Sequence, residues 1–312
     1  MKRDPQHILF GLEEDQYSLK ALAMICWLYV GTLVFAALLS PWFFRLVNDS
    51  DALLSILSED TLAYLREKPI TRFFDRIRIL GVLIVLPLLF KYAKLYSFSK
   101  IGFRRTFKEF FKWYAYGLGM MAIVLAVTVF SQSIEPRTDW SIGRQIEKSL
   151  GAIVGATTLS IVEEVIFRGL IFRLFYTLLK PIPAIILSSL FFASLHFKMN
   201  PERIAHLGPE EIGLQEGFFV AWGYVTAVAD GFNLLSFINY SLVGILLHQA
   251  FLKTGNLWSS IGLHAGWVTI MLSLNKTFQA GPNANAFTGT HRVIDGLWVT
   301  IVMTAFVIAF AL

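Results

Sequence analysis

Two adjacent carboxylates and a guanidinium stand inside a long apolar stretch of this 312-residue chain. Residues 157–169 read TTLSIVEEVIFRG, so that mainly apolar side chains surround Glu163, Glu164 and Arg168. An ionisable side chain at the depth of a membrane costs at least about 2.5 kcal/mol, so such groups persist mainly where they face a protein interior, a partner or water. We therefore expect the chemistry of this protein at this cluster.

The spacing within the cluster assigns different tasks to the two glutamates. On an α-helix, Glu164 and Arg168 are four residues apart and lie on one face, where they can form an ion pair. Glu163 points about 100° away from Glu164. It can therefore project into the bundle interior and serve as a general base. A purely structural ion pair that closes a helix end is the other interpretation of these residues.

Two histidines extend the pattern to other apolar blocks. His196 ends the block LFFASLHF at 190–197, which we expect to be helical, with Phe192 one turn before it. His264 lies in GNLWSSIGLHAGW at 255–267, among small residues that allow another helix to approach closely. One such histidine would more often be structural. Together with the Glu-Glu-Arg cluster, the two histidines favour a shared polar cavity.

The composition identifies the elements that must position these groups. Hydrophobic residues make up 55% of the chain and charged residues 16%. The chain therefore has too few polar side chains to cover the core of a water-soluble protein. Blocks of about 20 apolar residues predict an all-α, polytopic transmembrane bundle of about eight helices around an internal polar catalytic cavity. The predicted spans are 21–44, 77–96, 113–130, 149–179, 182–197, 217–252, 256–274 and 293–312. The block 217–252 is too long for one crossing and contains Asp230 and Gly231, which predicts a kinked helix or a re-entrant segment followed by a helix.

The chain divides into three predicted regions. Residues 1–148 hold N-terminal transmembrane helices and, within Asp49–Arg76, an interfacial helix; residues 149–274 form the catalytic core; residues 275–312 form a loop and the last transmembrane helix. The net charge of +5 and the basic residues beside apolar blocks predict contact with anionic lipid headgroups and no nucleic-acid partner. We expect a multi-pass integral membrane protein, located in the plasma membrane if the chain is bacterial.

The three motifs, in this order, resemble those of the CPBP family of intramembrane proteases, also called Abi or CAAX-protease-like, which includes the Rce1-type prenyl-protein endopeptidases. The motifs are Glu163-Glu164-x-x-x-Arg168, Phe192-x-x-x-His196, and His264 within a Gly-Asn-Leu-Trp…His-Ala segment. The resemblance covers roughly residues 149–274. It implies an endopeptidase of the glutamic type that cleaves a membrane-associated protein or peptide, including a lipidated CAAX-type substrate.

The resemblance also implies a role for each matching residue. Glu163 and His196 would activate a water molecule, and His264 would stabilise the oxyanion. Glu164 and Arg168 would support them.

One position departs from the family pattern. The third motif usually has Asn or Asp four residues after its histidine, whereas this chain has Val268, which cannot donate a hydrogen bond. A second donor would have to come from elsewhere, such as Asn239, Tyr240 or the backbone. We therefore include Phe192 and Asn239 as predicted substrate-contacting or supporting residues.

The resemblance implies hydrolysis without a cofactor, with zinc as the alternative. The family was earlier regarded as a group of metalloendopeptidases, and Glu163, His196 and His264 could supply three zinc ligands. The chain contains no His-Glu-x-x-His sequence.

Two other function classes stay open at this point. A transporter or channel could use a buried path of Glu, Arg and His side chains. A non-catalytic scaffold or immunity protein could keep the fold without the activity, and Val268 favours this reading.

Overall fold

The computed structural model describes residues 18–49, 53, 56–92, 95, 97–104, 106–137, 140–230 and 232–311. Its α-helices are α1 Ser18–Asp49, α2 Glu59–Arg66, α3 Ile70–Tyr92, α4 Phe98–Ile101, α5 Lys108–Phe130, α6 Ile142–Ile166, α7 Phe172–Leu178, α8 Pro181–Ser194, α9 Leu214–Asp230, α10 Leu234–Thr254, α11 Leu257–Thr277 and α12 Leu297–Ala311. A π-helical turn, Phe167–Ile171, joins α6 to α7. The predicted helical fold class is thus confirmed.

Five of the described helices are long and apolar enough to cross a membrane. They are Ala23–Asp49, Lys108–Phe130, Ile142–Tyr176, Leu234–Thr254 and Leu257–Thr277. Two shorter apolar helices, α8 and α12, accompany them. The chain is a multi-pass integral membrane protein.

Two predicted spans differ from the structure in a way that concerns the site. The block 217–252 is two helices, α9 and α10, because α9 ends at Asp230; Gly231 lies outside the described residues. The span predicted at 182–197 is α8, which ends at Ser194. The prediction that places His196 on a helix was therefore wrong: His196 lies in the turn that follows. Apolar composition continues past Ser194, and it does not reveal where the helix stops.

Packing divides the chain into two compact units. The first contains Lys94–Ser194 and Asn233–Leu312, and the second contains Leu19–Ala93 and Leu195–Phe232. Residues 1–17, at the start of the predicted N-terminal region, lie outside the described residues. The predicted division at 148 and 274 stays a prediction.

The core of the second unit joins α1, α3 and α9. Its buried side chains include Ala36 and Ala37 of α1, Phe74 of α3 and Val220 of α9. Gly217 permits this packing, because a Cβ atom there would collide with the carbonyl of Ala37. These contacts hold three helices together through small residues on α1.

The segment predicted as an interfacial helix contains α2 and the start of α3. Ser58 caps α2 by accepting a hydrogen bond from the backbone N–H of Thr61. Glu59 and Asp60 follow in the first turn, where carboxylates interact favourably with the helix dipole. Leu62 is the buried residue of α2. Residues 50–52, 54 and 55 of this segment lie outside the described residues.

The first unit is built around α11, which packs against α5 on one side and α6 on the other. Gly262 and Gly266 face α5, since a Cβ atom at these positions would collide with the carbonyls of Phe110 and Tyr114. Small residues therefore bring the two backbones together, as is common between membrane helices. His264 is two residues from each glycine, about 200° around the helix. This geometry turns His264 away from α5 and towards α6.

A two-stranded antiparallel sheet closes one end of the first unit. Strand β1, Ile134–Pro136, pairs with β2, Phe278–Ala280, with Ile134 opposite Ala280. The sheet follows α5 and α11 directly in the chain, so it ties the ends of these two helices together. Sequence reasoning treated residues 276–292 as a loop and did not predict this strand.

Candidate active site

Glu164 is the centre of the cluster and is completely buried. Its Oε1 atom accepts a hydrogen bond from Nη1 of Arg168 at 2.9 Å. The same oxygen lies 2.9 Å from Nδ1 of His264, which must therefore donate to it when the carboxylate is ionised. The predicted pairing of Glu164 with Arg168 is thus present, and it extends to a histidine 100 residues further along the chain.

His264 stands between the two glutamates. While Nδ1 contacts Glu164, Nε2 of the same ring lies 3.8 Å from Oε2 of Glu163. The carboxylate of Glu164 therefore selects the orientation of the ring, as a carboxylate hydrogen-bonded to the catalytic histidine does in serine proteases. The second nitrogen is left facing Glu163.

Glu163 differs from Glu164 in its surroundings. Its side chain keeps 22% of its surface accessible, whereas Glu164 has none. Its Oε2 atom is buried and has no hydrogen-bond partner among the described residues. A buried carboxylate oxygen usually has such a partner, so an atom without one marks a place where a further polar group can bind.

Arg168 links the cluster to α10 and α8. Its Nη2 atom donates to the carbonyl oxygen of Gly244 at 3.0 Å. Its guanidinium also lies over the ring of Phe192, 5.0 Å from the centroid, which is a cation–π distance. Phe167 and Arg168 are the first two residues of the π-helical turn. Such turns are frequent at functional sites.

Phe192 packs against two members of the cluster, and its predicted role at the site stays a prediction. The ring is completely buried and lies edge-on to His264, with 6.1 Å between centroids. It also packs against Phe167, at 4.9 Å. Phe192 thus contacts both Arg168 and His264 and restricts their movement.

Asn239 has a different partner from the one expected. Its Nδ2 atom donates to the carbonyls of Ile294 and Gly296, at 2.8 and 3.1 Å. Both amide hydrogens are used there, so Asn239 anchors the loop before α12 and cannot also act as a second donor beside His264. The neighbouring Tyr240 is the other side chain that the sequence names as a possible second donor.

His196 belongs to the second unit, where it is half-buried. Close by in the sequence, Lys198 forms an ion pair with Asp75 of α3, at 2.6 Å. Asp75 also accepts a hydrogen bond from the hydroxyl of Tyr224, at 2.6 Å. The turn that carries His196 is therefore tied to the helices of its own unit, and the role of His196 stays a prediction.

Two further ionisable residues, Asp230 and His248, lie on α9 and α10. Asp230 ends α9 and pairs with Arg203 at 2.6 Å, as a helix-end residue would. His248 is completely buried, and its Nδ1 atom lies 2.6 Å from the carbonyl oxygen of Gly244. The contribution of Gly244 was missed, because a backbone carbonyl leaves no signal in the sequence.

The zinc alternative requires three converging ligands. The described residues contain no group of three or more His, Cys, Asp or Glu side chains that could hold a metal ion. Nε2 of His264 approaches Glu163 while Nδ1 contacts Glu164, and zinc-binding histidines often use their second nitrogen in this way. Glu163 and His264 are two ligands, however, and a catalytic zinc site uses three protein ligands.

A groove of about 460 Å³ runs along the same pair of helices that carries the cluster. Residues of α6 and α11 form most of it, with Gln145, Ser149, Thr269, Ser273 and Thr277 as the polar part and Ile142, Ile146, Leu150, Ile153 and Phe278 as the apolar part. Thr269 is five residues from His264, about 7.5 Å along the helix axis. On α6, the groove residue nearest to Glu163 is Ile153, ten residues earlier and about 15 Å away along the axis, so the groove lies apart from the cluster.

The charges of the cluster are balanced when His264 is protonated. Glu163 and Glu164 contribute two negative charges, and Arg168 and His264 then contribute two positive ones. Such compensation is needed because isolated charges in a membrane-spanning bundle are costly. The arrangement can hold one carboxylate as a fixed orienting group and leave the other free to accept a proton.

Residues 146–270 match the family model of the type II CAAX prenyl endopeptidase Rce1-like proteins. The matched segment includes Glu163, Glu164, Arg168, His196 and His264, and it confirms the resemblance recognised in the sequence. It supports an endopeptidase as the kind of enzyme. No curated protein and no solved structure matches the chain significantly.

Proposed function

We propose that this chain, which is Rce1-like over residues 146–270, is an intramembrane endopeptidase that hydrolyses a peptide bond through a water molecule activated by Glu163. The substrate is a membrane-associated protein or peptide, and the family match favours a lipidated CAAX-type C-terminus. The reaction needs no cofactor in this proposal.

One observation carries the mechanism. The unpartnered Oε2 of Glu163 and Nε2 of His264 face each other at 3.8 Å. This separation leaves room for a small polar group beside the two atoms, at a hydrogen-bond distance of about 2.8 Å from each. A water molecule fits this description, because it can donate one hydrogen bond to the carboxylate and accept another from the imidazole.

In the first step, the water oxygen attacks the carbonyl carbon of the scissile peptide bond. A C–O bond forms, and the water proton moves to Glu163, the general base. The carbonyl oxygen becomes negatively charged and accepts a hydrogen bond from Nε2–H of the protonated His264. Glu164 stabilises this form of His264 through Nδ1–H, at 2.9 Å.

In the second step, the C–N bond breaks. Glu163 returns its proton to the leaving amine, so that the products are a carboxylate-terminated and an amine-terminated fragment and the enzyme is unchanged. Arg168 keeps Glu164 ionised throughout by its 2.9 Å hydrogen bond. Glu164 and Arg168 are therefore positioning residues, and Glu163 and His264 act on the reacting atoms.

Two further residues complete the proposal. Tyr240 serves as the second donor to the oxyanion in place of the family's Asn or Asp, which is Val268 here. By the family resemblance, His196, which matches the second motif, would hold the attacking water. Substitution of Tyr240 by Phe would remove the donor and keep the ring.

The decisive variant is Glu163→Gln, which keeps the shape of the side chain and cannot accept the proton. We expect cleavage of a prenylated reporter peptide in proteoliposomes to fall by at least about 10²–10⁴-fold, the range for loss of a general base. Glu147→Gln on the same helix is the matched control, because Glu147 is exposed and pairs only with its neighbour Lys148 among the described residues. Normal turnover by Glu163→Gln would remove Glu163 as the base.

The same preparation separates the other function classes. Solute flux into sealed vesicles that survives Glu163→Gln, without cleavage, would favour a transporter or channel. Binding of the reporter without turnover by the unaltered protein would favour a scaffold. Loss of cleavage on chelation, restored by zinc, would overturn the cofactor-free mechanism.

A further inference from the structure

A second buried histidine, His248 of α10, is connected to the active-site cluster. His248 has no accessible surface, and its Nδ1 atom lies 2.6 Å from the carbonyl oxygen of Gly244, one turn earlier. A carbonyl can only accept, so Nδ1 carries the hydrogen of this bond. The carbonyl of Gly244 is the same one that binds Arg168, at 3.0 Å.

A chain of hydrogen bonds therefore connects His248 to the reacting groups. It runs from His248 to the Gly244 carbonyl, from this carbonyl to Arg168, from Arg168 to Glu164, and from Glu164 to His264. Each bond lies between 2.6 and 3.0 Å. The proposed mechanism uses the last three residues and leaves His248 without a role.

The local backbone explains how His248 can act at a distance. A side chain that donates to the carbonyl one turn earlier competes with the helix hydrogen bond and bends the helix. A carbonyl oxygen has two lone pairs, so the oxygen of Gly244 can accept from His248 and from a donor on another helix at the same time. Arg168 of the neighbouring π-helical turn is this donor.

The surroundings of His248 leave it little freedom. Its ring lies 4.5 Å from the ring of Phe172, and Ser189 Oγ of α8 is 3.4 Å from Nδ1. Gly244 lets α8 approach this closely, because a Cβ atom at 244 would lie 2.8 Å from Cβ of Ser189. The imidazole is thus held in one orientation by three elements of the first unit.

We infer that His248 is a positioning residue for the active site: its Nδ1–H presents the Gly244 carbonyl to Arg168 and thereby sets the positions of Glu164 and His264. The kinetic test of this inference rests on the proposed function. The structural test rests on the hydrogen-bond geometry alone. His248 itself does not contact the reacting atoms.

Two amide substitutions test this directly. In His248→Asn, the side-chain N–H occupies nearly the position of Nδ1–H and can still reach the Gly244 carbonyl. In His248→Gln, the N–H lies one bond further out and cannot reach it in the same way. Both variants bury one amide of similar polarity, so a difference between them reports the position of the donor.

We expect His248→Gln to lower kcat for the prenylated reporter by roughly 10- to 100-fold with KM nearly unchanged, since small displacements of catalytic groups cost up to about 10²-fold. His248→Asn should recover most of the lost kcat. Leu247→Ala is the control for altered packing, because Leu247 is the buried neighbour of His248 on the same helix. It should lower stability and leave kcat of the folded protein unchanged.

Equal kcat values for the Asn and Gln variants would overturn the inference while the proposed protease function stands. If the unaltered protein does not cleave any substrate, the proposed function fails, and a structural readout decides about His248. A double-mutant cycle of His248→Gln with Arg168→Lys on unfolding in detergent should then be non-additive, because both side chains donate to one carbonyl. Additive effects would overturn the inference.

Discussion

The two compact units each contain a cluster of charged and polar side chains, and the two clusters are built in opposite ways. In the first unit, Glu164 and Arg168 have no accessible surface. In the second, Asp75 binds Tyr224 and Lys198, but the Lys198 side chain keeps 54% of its surface accessible. Water can stabilise the second cluster, whereas Glu164 and Arg168 of the first depend on other protein groups.

This difference indicates that the clusters have different purposes. A completely buried ion pair contributes little net stability, because the desolvation of both charges offsets their attraction. The first cluster is therefore better explained by the chemistry that it positions. The partly exposed cluster of the second unit joins α3 to α9 and to the segment after His196, which is a structural task.

The largest expected effect on stability comes from breaking the buried cluster. Arg168→Leu leaves Glu164 as an uncompensated buried charge, so we expect the free energy of unfolding in detergent to fall by about 3–5 kcal/mol. Cleavage should be lost as well, because Glu164 no longer orients His264. Chemical denaturation together with the reporter assay measures both effects.

A double variant checks this interpretation. Glu164→Leu combined with Arg168→Leu removes both charges, and it should regain much of the stability lost in the single variant while remaining inactive. If stability and activity recovered together, the cluster would be structural, and its contrast with the second unit would disappear.

A smaller effect is expected from the hydroxyl in the second unit. Tyr224→Phe removes the 2.6 Å hydrogen bond to Asp75 and keeps the stacked contact of the ring with Phe74. A hydrogen bond to a charged group contributes about 1.5–3 kcal/mol, so the free energy of unfolding should fall within that range. The fraction unfolded as a function of denaturant gives the value, and kcat of the folded protein should not change. If Tyr224→Phe lowered the free energy of unfolding more than Arg168→Leu does, the cluster of the second unit would be the one that depends more on its buried contacts.

The smallest effect is expected at the exposed end of the same cluster. Lys198→Ala removes a partly solvated ion pair, for which about 0–1 kcal/mol is typical. The loss should shrink further as the salt concentration rises, because ions screen this pair and cannot reach the buried one. An effect of several kcal/mol, independent of salt, would show that Lys198 acts as a buried charge does.

The membrane class and the pairing of Glu164 with Arg168 could be predicted from the sequence, because the physical signals are local. Apolar blocks long enough to cross a bilayer indicate a membrane protein. A spacing of four residues places Glu164 beside Arg168 on any α-helix. The contact between Glu164 and His264 could not be predicted in this way, because 100 residues separate them in the sequence. In the structure, a 2.9 Å hydrogen bond joins them. The position of His196 was predicted less well, since apolar composition continues past the helix end at Ser194.

The sequence by itself determined that this protein spans a membrane and carries two carboxylates, an arginine and histidines where hydrocarbon would reject them. The tertiary structure decided which of these groups meet: one imidazole lies between two glutamates, one carbonyl accepts from both Arg168 and His248, and Asn239 binds a loop instead of the site. The physical reason is that the cost of burying a charge depends on residue type and can be read along the chain. The hydrogen bonds that offset this cost depend on how the helices cross. Backbone carbonyls are present at every residue, so the sequence does not show which of them takes part.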